Sequence, residues 1–261
     1  MRRIQIDPVL KYVQMTLLAE NAYLLPMRFF IGIGWIRAGL EKLIEPGWLN
    51  GSELTSFLNT QLSGNMVVFP FYRHWIESTF LPGALTLSWA ISAGQLLVGL
   101  AVLSGTLTNF ALWWGLFMNL NFILAGQVTP SAFYVVIQII LLLGNAGAVM
   151  GFDQMLRRRI RARFLVAQSE TSARWARFER RLILVLGLLS LVGGVMAIPF
   201  IRDFSPHSVD DPAMILLVLS VFTSLSAMIT YLRLPDSADV KVKDAEAREA
   251  TRPRHRHMTV K

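Results

Sequence analysis

The stretch QMLRRRIRARFLVAQSETSARWARFERR, residues 154–181, decides the architecture of this chain. It holds nine arginines and no lysine, and hydrophobic stretches of about 20 residues, enough to span a bilayer, flank it on both sides. Short basic loops stay on the cytoplasmic side of a bilayer, because translocating them against the membrane potential is unfavourable. This arginine segment therefore predicts a membrane protein whose orientation is fixed at its middle.

The composition also favours a membrane protein. Apolar residues make up 54% of the chain and charged residues 16%, whereas soluble domains carry about 25% charged residues. A span needs roughly 20 apolar residues. Six segments meet that length, which predicts an all-α, polytopic bundle of six transmembrane helices. They cover about 24–44, 83–104, 107–127, 131–151, 182–201 and 213–232.

The lysines and arginines outside these spans divide unequally between the two sides of the membrane. Three precede the first span, nine lie in the arginine segment and eight lie from Arg233 onward. The loops on the other side hold only Arg73 and Arg202. This asymmetry predicts a multi-pass protein of the cell (inner) membrane with both termini in the cytoplasm.

The segments between the spans differ in character. Residues 1–23 predict either a short amphipathic helix on the membrane surface or a frayed polar tail. The loop at 45–82 is aromatic and long enough to have structure of its own. We expect it to fold as a lid, with one helix capped by Ser52 and ending near Leu62, and a second at about 71–80. The remaining units are a basic cytoplasmic loop at 153–181, a two-helix hairpin at 182–234 and a disordered cytoplasmic tail at 235–261.

Several kinds of site are excluded by residue type. The chain has no cysteine and only four histidines, all outside the predicted spans. Disulfides, iron–sulfur ligation, covalently attached haem and haem held between helix histidines are therefore excluded, and no metal site is predicted. The net charge of +8 lies beside the spans, which favours contact with anionic lipid headgroups, or with a partner, over nucleic acid. The candidate residues for this contact are Arg157, Arg158, Arg159, Arg161 and Arg163.

The first span alone carries charged residues, namely Arg28, Arg37, Glu41 and Lys42. Charges inside a span are expensive and usually face a cavity or a partner. Arg28 is close enough to the inner interface to snorkel, and Lys42 to reach water at the outer end. Arg37 lies deeper, and Glu41, four residues later, is within pairing reach. The two residues form either an internal structural pair or part of a site for an anionic or quinone-like ligand.

Neutral polar residues in the next three spans are further ligand-binding candidates. Gln95 lies in the second span, Asn119 and Asn121 in the third, and Gln138 in the fourth. With Arg37 and Glu41 they form a polar pocket open toward the outer leaflet, or each makes an ordinary hydrogen bond between helices.

The stretch RFFIGIGWIRAGLEKLI at 28–44 resembles the first helix of the DoxX/DoxD family of membrane proteins. The stretches GQLLVGLAVLSGTLTNFALWWG at 94–115 and NLNFILAGQVTPSAFYVVIQIILLLGNAG at 119–147 are similar to the rest of that domain. The resemblance covers about 24–152 and implies a four-helix core. It also implies quinone-linked chemistry, as in the membrane subunit of thiosulfate:quinone oxidoreductase. The family often has Glu where this chain has Gln95.

Two functions follow as hypotheses. In the first, the protein serves a quinone-linked oxidoreductase system, with a polar outer-leaflet pocket for a quinone or small anion and no covalently bound cofactor. In the second, it is a non-catalytic scaffold or accessory subunit that assembles with other membrane subunits. The sequence does not decide whether the chain itself is catalytic. A transporter is a third, weaker hypothesis, because nothing resembles an inverted repeat with broken helices.

Overall fold

The computed structural model describes residues 21–157, 159–160, 164–167, 173–202 and 211–233. Of these residues 78% are helical and none is in a strand, which confirms the all-helical prediction. The expectations for residues 1–20, for the tail at 235–261 and for Arg158, Arg161 and Arg163 concern residues outside this description.

The described part of the chain forms nine α-helices. They are α1 (Leu25–Ile44), α2 (Ser52–Ser63), α3 (Pro70–Trp75), α4 (Ala84–Ser104), α5 (Thr108–Leu124), α6 (Ser131–Leu143), α7 (Asp153–Leu156), α8 (Ala173–Ala197) and α9 (Pro212–Arg233). Helix α3 continues into a π-turn at Ile76–Phe80, and 3-10 turns cover Ala22–Leu24, Ala146–Ala148 and Ile198–Phe200. The predicted helices of the long loop are thus present.

Three helices are long and apolar enough to cross a membrane. They are Ala84–Ser104, Arg180–Phe200 and Pro212–Leu232. Helix α1 is long enough but carries four charged residues, and α5 has only 17 residues. Helix α6 has 13 residues, so it rises only about 20 Å at 1.5 Å per residue. By length and composition, three of the six predicted spans are therefore candidate membrane-spanning helices, and the other three stay predictions.

Glycines bring α1 and α4 into backbone contact in an antiparallel arrangement. A Cβ atom on Gly99 would lie 2.7 Å from the backbone nitrogen of Ile36 and 2.8 Å from the carbonyl oxygen of Gly32. A Cβ atom on Gly39 would lie 2.7 Å from Cγ of Leu96. Larger residues would force the two helices apart, so these glycines fix the register of α1 against α4.

The long loop folds over one end of the bundle, which we call the loop end (residues 45–83). Trp48 donates its indole N–H to the Ser88 carbonyl and to Ser92 Oγ on α4, at 3.2 and 2.8 Å. Buried Tyr72 donates to the carbonyl and side-chain oxygens of Asn121, at 3.1 and 3.0 Å. These contacts bind the loop to α4 and α5, as the lid prediction requires.

The cap predicted for α2 is wrong by one position. Gly51, with φ of +82°, is the N-cap, and Ser52 is the first helical residue. Ser52 donates its hydroxyl to the Gly47 carbonyl at 3.1 Å instead of capping the helix. A left-handed backbone at the cap selects glycine over serine, and a Cβ atom there would also lie 2.7 Å from the Leu85 nitrogen.

At the opposite end, which we call the arginine end (residues 105–107, 144–157 and 159–160), Arg28 is buried rather than snorkelling. Its side chain is 1% exposed. Its Nη1 donates to the carbonyls of Ala146 and Val149 at 2.9 and 2.6 Å, and its Nη2 to the carbonyl of Met150 at 2.5 Å. The chain after α6 turns to present these carbonyls, so the predicted span at 131–151 ends as a helix at Leu143.

A second charged residue fixes the same end of the bundle. Asp153 is fully buried. One of its carboxylate oxygens accepts from the Leu107 N–H at 2.7 Å, and the other from Thr108 and Ala167 at 3.1 and 3.3 Å. Burial raises the pKa of this carboxyl group, while the hydrogen bonds from Thr108, Ala167 and Leu107 act to lower it. The first backbone N–H groups of a helix have no acceptor within that helix. Asp153 supplies acceptors for those at the start of α5.

The hairpin of α8 and α9 packs through α9 against α5 and α6. Small residues line the contact inside the hairpin, where Ser190 and Thr223 share a hydrogen bond and Ser224 donates to the Gly187 carbonyl at 3.1 Å. Leu219 of α9 joins a buried cluster that includes Val135 and Ile139 of α6. The hairpin thus extends the bundle as one further layer.

We predict that Arg28→Met destabilises the protein by several kcal/mol, because it removes three hydrogen bonds and leaves the carbonyls of Val149 and Met150 without a donor, and each such loss costs about 1–3 kcal/mol. Arg28→Lys should recover part of the loss, since an ammonium group can reach some of the carbonyls. Unfolding of the purified protein in mild detergent measures the effect. Arg157→Met, at an exposed arginine of the same end, is the matched control, and an equal loss there would contradict the role of Arg28.

Candidate functional site

Arg37 and Glu41 form an ion pair on the outside of the bundle. Arg37 Nε donates to Glu41 Oε1 at 2.8 Å, and the two side chains are 79% and 55% exposed. The predicted pairing is therefore confirmed, but its predicted internal position is wrong. The pair sits on the outward face of α1, among the exposed apolar side chains of Phe30, Ile33 and Leu40.

The register of α1 against α4 gives the depth of this pair. Ile36 lies beside Gly99, and Gly39 lies beside Leu96. Since the helices are antiparallel, Arg37 is level with the residues just before Gly99, and Glu41 is one helical turn closer to the loop end. Helix α4 covers Ala84–Ser104 as a candidate span. The ion pair therefore lies level with the middle of the candidate span α4.

This position is exceptional among the described residues. Helices α4, α5 and α6 and the apolar part of α9 contain no Asp, Glu, Lys or Arg. Of the other charged groups on α1, Arg28 is buried, and Lys42 lies 4.9 Å from the ring centroid of Trp48. Within the described residues, only Arg37 and Glu41 bring charge to the outward surface of the bundle level with the middle of α4.

The pair leaves polar atoms for another molecule. A guanidinium group has five N–H donors. Within the described residues, only the Nε donor of Arg37 is used, and only Oε1 of Glu41 accepts. The Tyr134 ring covers the neighbouring surface, with its centroid 6.3 Å from that of Phe30 and 6.0 Å from that of Trp35. The outward face of α1 thus offers donors, an acceptor and an aromatic surface at one depth.

Three other predicted residues lie inside the bundle. Gln95, Asn119 and Gln138 are all buried, and Asn119 Nδ2 donates to Gln138 Oε1 at 3.0 Å between α5 and α6. Gly115 makes room for the Gln138 amide, whose Nε2 has no partner among the described residues. The same holds for Gln95 Oε1. The sequence left open whether these residues form a polar pocket or make ordinary hydrogen bonds between helices. The Asn119–Gln138 contact is such a hydrogen bond.

Asn121 lies apart from this group, because residues two positions apart on a helix point about 200° away from each other. It accepts from Tyr72 and donates Nδ2 to the Phe117 carbonyl one turn earlier, at 2.8 Å. The structure therefore does not gather the six ligand candidates into one pocket. Arg37 and Glu41 form an outward ion pair, Gln95, Asn119 and Gln138 are buried in the core, and Asn121 holds the long loop through Tyr72.

Of the remaining candidates, the structure describes Arg157 and Arg159. Both lie at the arginine end and are exposed, as contact with lipid or a partner requires. In the part of the chain that the structure describes, no group of three or more His, Asp or Glu side chains could hold a metal ion.

Sequence reasoning missed a cleft between the lid and the α8–α9 hairpin. Its volume is about 510 Å³, and it is lined by Asn65, Val67, Val68, Pro70, Arg73, Phe200 and Arg202. The two arginines are the basic residues that stood out as exceptions in the loops opposite the arginine segment. The presence of these two arginines in otherwise non-basic loops was the one sequence signal for the cleft. Only the fold shows that they meet there, because they are 129 positions apart in the chain.

We predict that Asn119 and Gln138 are coupled by about 0.6 kcal/mol, the usual value for a hydrogen bond between membrane helices. A double-mutant cycle of Asn119→Ala and Gln138→Ala, read by unfolding in mild detergent, measures the coupling. The control cycle pairs Gln138→Ala with Asn121→Ala, which shares no bond with Gln138, and it should be additive. Additive effects in both cycles would contradict a direct Asn119–Gln138 contact.

Comparisons of this chain with protein-family models, with curated protein sequences and with solved structures find no match.

Proposed function

We propose that this chain is a non-catalytic subunit of a larger membrane assembly and docks through the outward face of α1. The observation that carries the proposal is the Arg37–Glu41 ion pair, which is exposed on the bundle level with the middle of the candidate span α4. Charged groups at that depth are rare and usually face protein or a water-filled cavity. A partner subunit on this face would remove both side chains from lipid.

The unused hydrogen-bonding atoms of the pair describe the partner. Arg37 has N–H donors to give, and Glu41 has an oxygen to accept. A polar or acidic side chain on a partner helix would accept from Arg37. A hydroxyl, amide or basic side chain on that helix would donate to Glu41. Around the pair, Phe30, Ile33 and Leu40 offer an apolar border that excludes water. Such a face suits another transmembrane helix better than free lipid.

The proposal includes six spans with both termini in the cytoplasm of a cell (inner) membrane. Helices α1 and α5 lie beside α4, itself long and apolar enough to span, and α6 lies beside α1 and α5. The Lys and Arg asymmetry of the sequence supports the orientation, and the exposed Arg157 and Arg159 would then face anionic lipid headgroups.

We predict that a reporter fused after Lys261 and one inserted within residues 53–62 report opposite sides of the membrane. The physical reason is the unequal distribution of basic residues between alternate loops. A topology reporter that is active on only one side provides the measurement. Two reporters on the same side would show that the number of spans or the orientation is wrong.

A second candidate function is service to a quinone-linked oxidoreductase system, which the DoxX-like resemblance at 24–152 implies. The observation that favours it is the same face, because quinones dissolve in the bilayer and their carbonyl oxygens accept hydrogen bonds. Arg37 presents N–H donors toward that phase. The neighbouring Tyr134 and Phe30 rings could stack on a quinone ring.

We predict that Arg37→Gln and Glu41→Gln together do not destabilise the isolated chain, because they remove two charges from a lipid-facing surface, whereas either change alone leaves one charge unpaired there. Each should nevertheless abolish recovery of the chain in a high-mass assembly from its native membrane. Native electrophoresis with mass spectrometry of the bands measures assembly, and extraction measures bound quinone. Glu53→Gln, an exposed carboxylate of the lid, is the control.

The outcomes separate the two candidates. Loss of the assembly in the Arg37 and Glu41 variants supports docking. An intact assembly that has lost its quinone in Arg37→Gln supports the quinone site instead. An intact assembly with unchanged quinone content in all three variants would contradict both functions for this face.

A further inference from the structure

The cleft between the lid and the α8–α9 hairpin lies at the end of a candidate span. Phe200 is both a residue of its wall and the last residue of the span Arg180–Phe200. The Phe200 ring packs on Phe69 of the lid, with centroids 5.1 Å apart. A surface at the end of a span lies at the level of the lipid headgroups, where phosphate groups are concentrated.

Arg73 is held in place on the lid side of the cleft. Its Nη2 donates to the Leu62 carbonyl and to Asn65 Oδ1, at 3.1 and 3.2 Å. These two bonds tie α3 to the end of α2 and fix the guanidinium plane. The Nη1 and Nε donors have no partner among the described residues, so a preorganised part of the guanidinium remains for a ligand.

Arg202 brings a second positive charge from the hairpin side. The nearby carboxylate of Asp211 is already used by backbone N–H groups, those of Arg202, Ala213 and Met214, at 3.0, 2.8 and 3.3 Å. Within the described ranges the one ion pair is Arg37–Glu41, far from the cleft. Neither cleft arginine is therefore neutralised by a carboxylate among those residues.

The rest of the wall is apolar. Val67, Val68, Pro70 and Phe200 line the cleft beside the two arginines and Asn65. A free inorganic anion would contact only the polar part. A phospholipid would contact both parts, with its phosphate on the guanidinium groups and its glycerol and first methylenes on the valines and the phenylalanine.

We infer that this cleft binds the phosphate group of a phospholipid headgroup, with Arg73 and Arg202 as its ligands. The inference is independent of the docking function proposed for α1, because the residues, the elements and the depth all differ. The bound lipid would join the lid to the hairpin, the two elements that form the cleft.

The test uses the full-length chain purified in mild detergent and a water-soluble, short-chain phosphatidylglycerol as the probe. Binding is measured by native mass spectrometry and by the shift in unfolding temperature. Arg202→Gln and the double variant Arg73→Gln/Arg202→Gln should each weaken binding about tenfold or more, because a charge-assisted bond to phosphate is lost. The matched control is Arg157→Gln/Arg159→Gln, which removes two exposed arginines at the other end and should bind as the parent chain does.

Two further measurements keep the inference falsifiable. Because Arg73 also holds the lid, Val68→Glu places a carboxylate in the cleft without touching either arginine and should abolish binding while the protein stays folded. Inorganic phosphate is titrated in parallel. Binding that survives in the double variant and in Val68→Glu would overturn the site, and inorganic phosphate that binds as tightly as the lipid would overturn the assignment to a phospholipid.

Discussion

The burial of Arg28 against three backbone carbonyls is the contact on which the arrangement of the bundle depends. It ties α1 to the turn after α6, and it gives the backbone of that turn partners that hydrocarbon cannot supply. Asp153 performs the reciprocal task a few residues later by accepting from the start of α5. Together the two charges replace water at the arginine end, and they allow α6 to stop well short of the predicted span length.

Once Arg28 faces inward, the outward face of α1 follows from helix geometry. Arg28 and Arg37 are nine positions apart, which at 100° per residue places them about 180° apart around the helix. Lys42 lies within about 40° of Arg28 and packs over Trp48, as an inward residue should. Arg37 and Glu41 must therefore face away from the bundle. Their exposure is a consequence of the same sequence spacing that buries Arg28.

Much of the fold was accessible from the sequence, and the errors have physical causes. Long uncharged runs located the helices, because apolar length is what a span requires. The end of α6 at Leu143 was missed, because apolar residues continue into a turn whose carbonyls are satisfied by a distant arginine. The internal position expected for Arg37 was an error that the 180° relation to Arg28 could have prevented. The cleft at Arg73 and Arg202 could not be foreseen, since it depends on how the lid meets the hairpin.

The structure distributes its polar groups according to the partner that each can reach. Deep groups with a partner in the chain, such as Asn119 with Gln138, contribute to helix association. Arg28 and Asp153 use backbone atoms, which suits positions where no side chain of opposite charge is near. Arg37 and Glu41 have only each other within the described residues and lie where lipid is the alternative. A charge that its own chain does not shield usually faces a second molecule at that depth, which is why we propose that the outward face of α1, and not the core, is the functional surface.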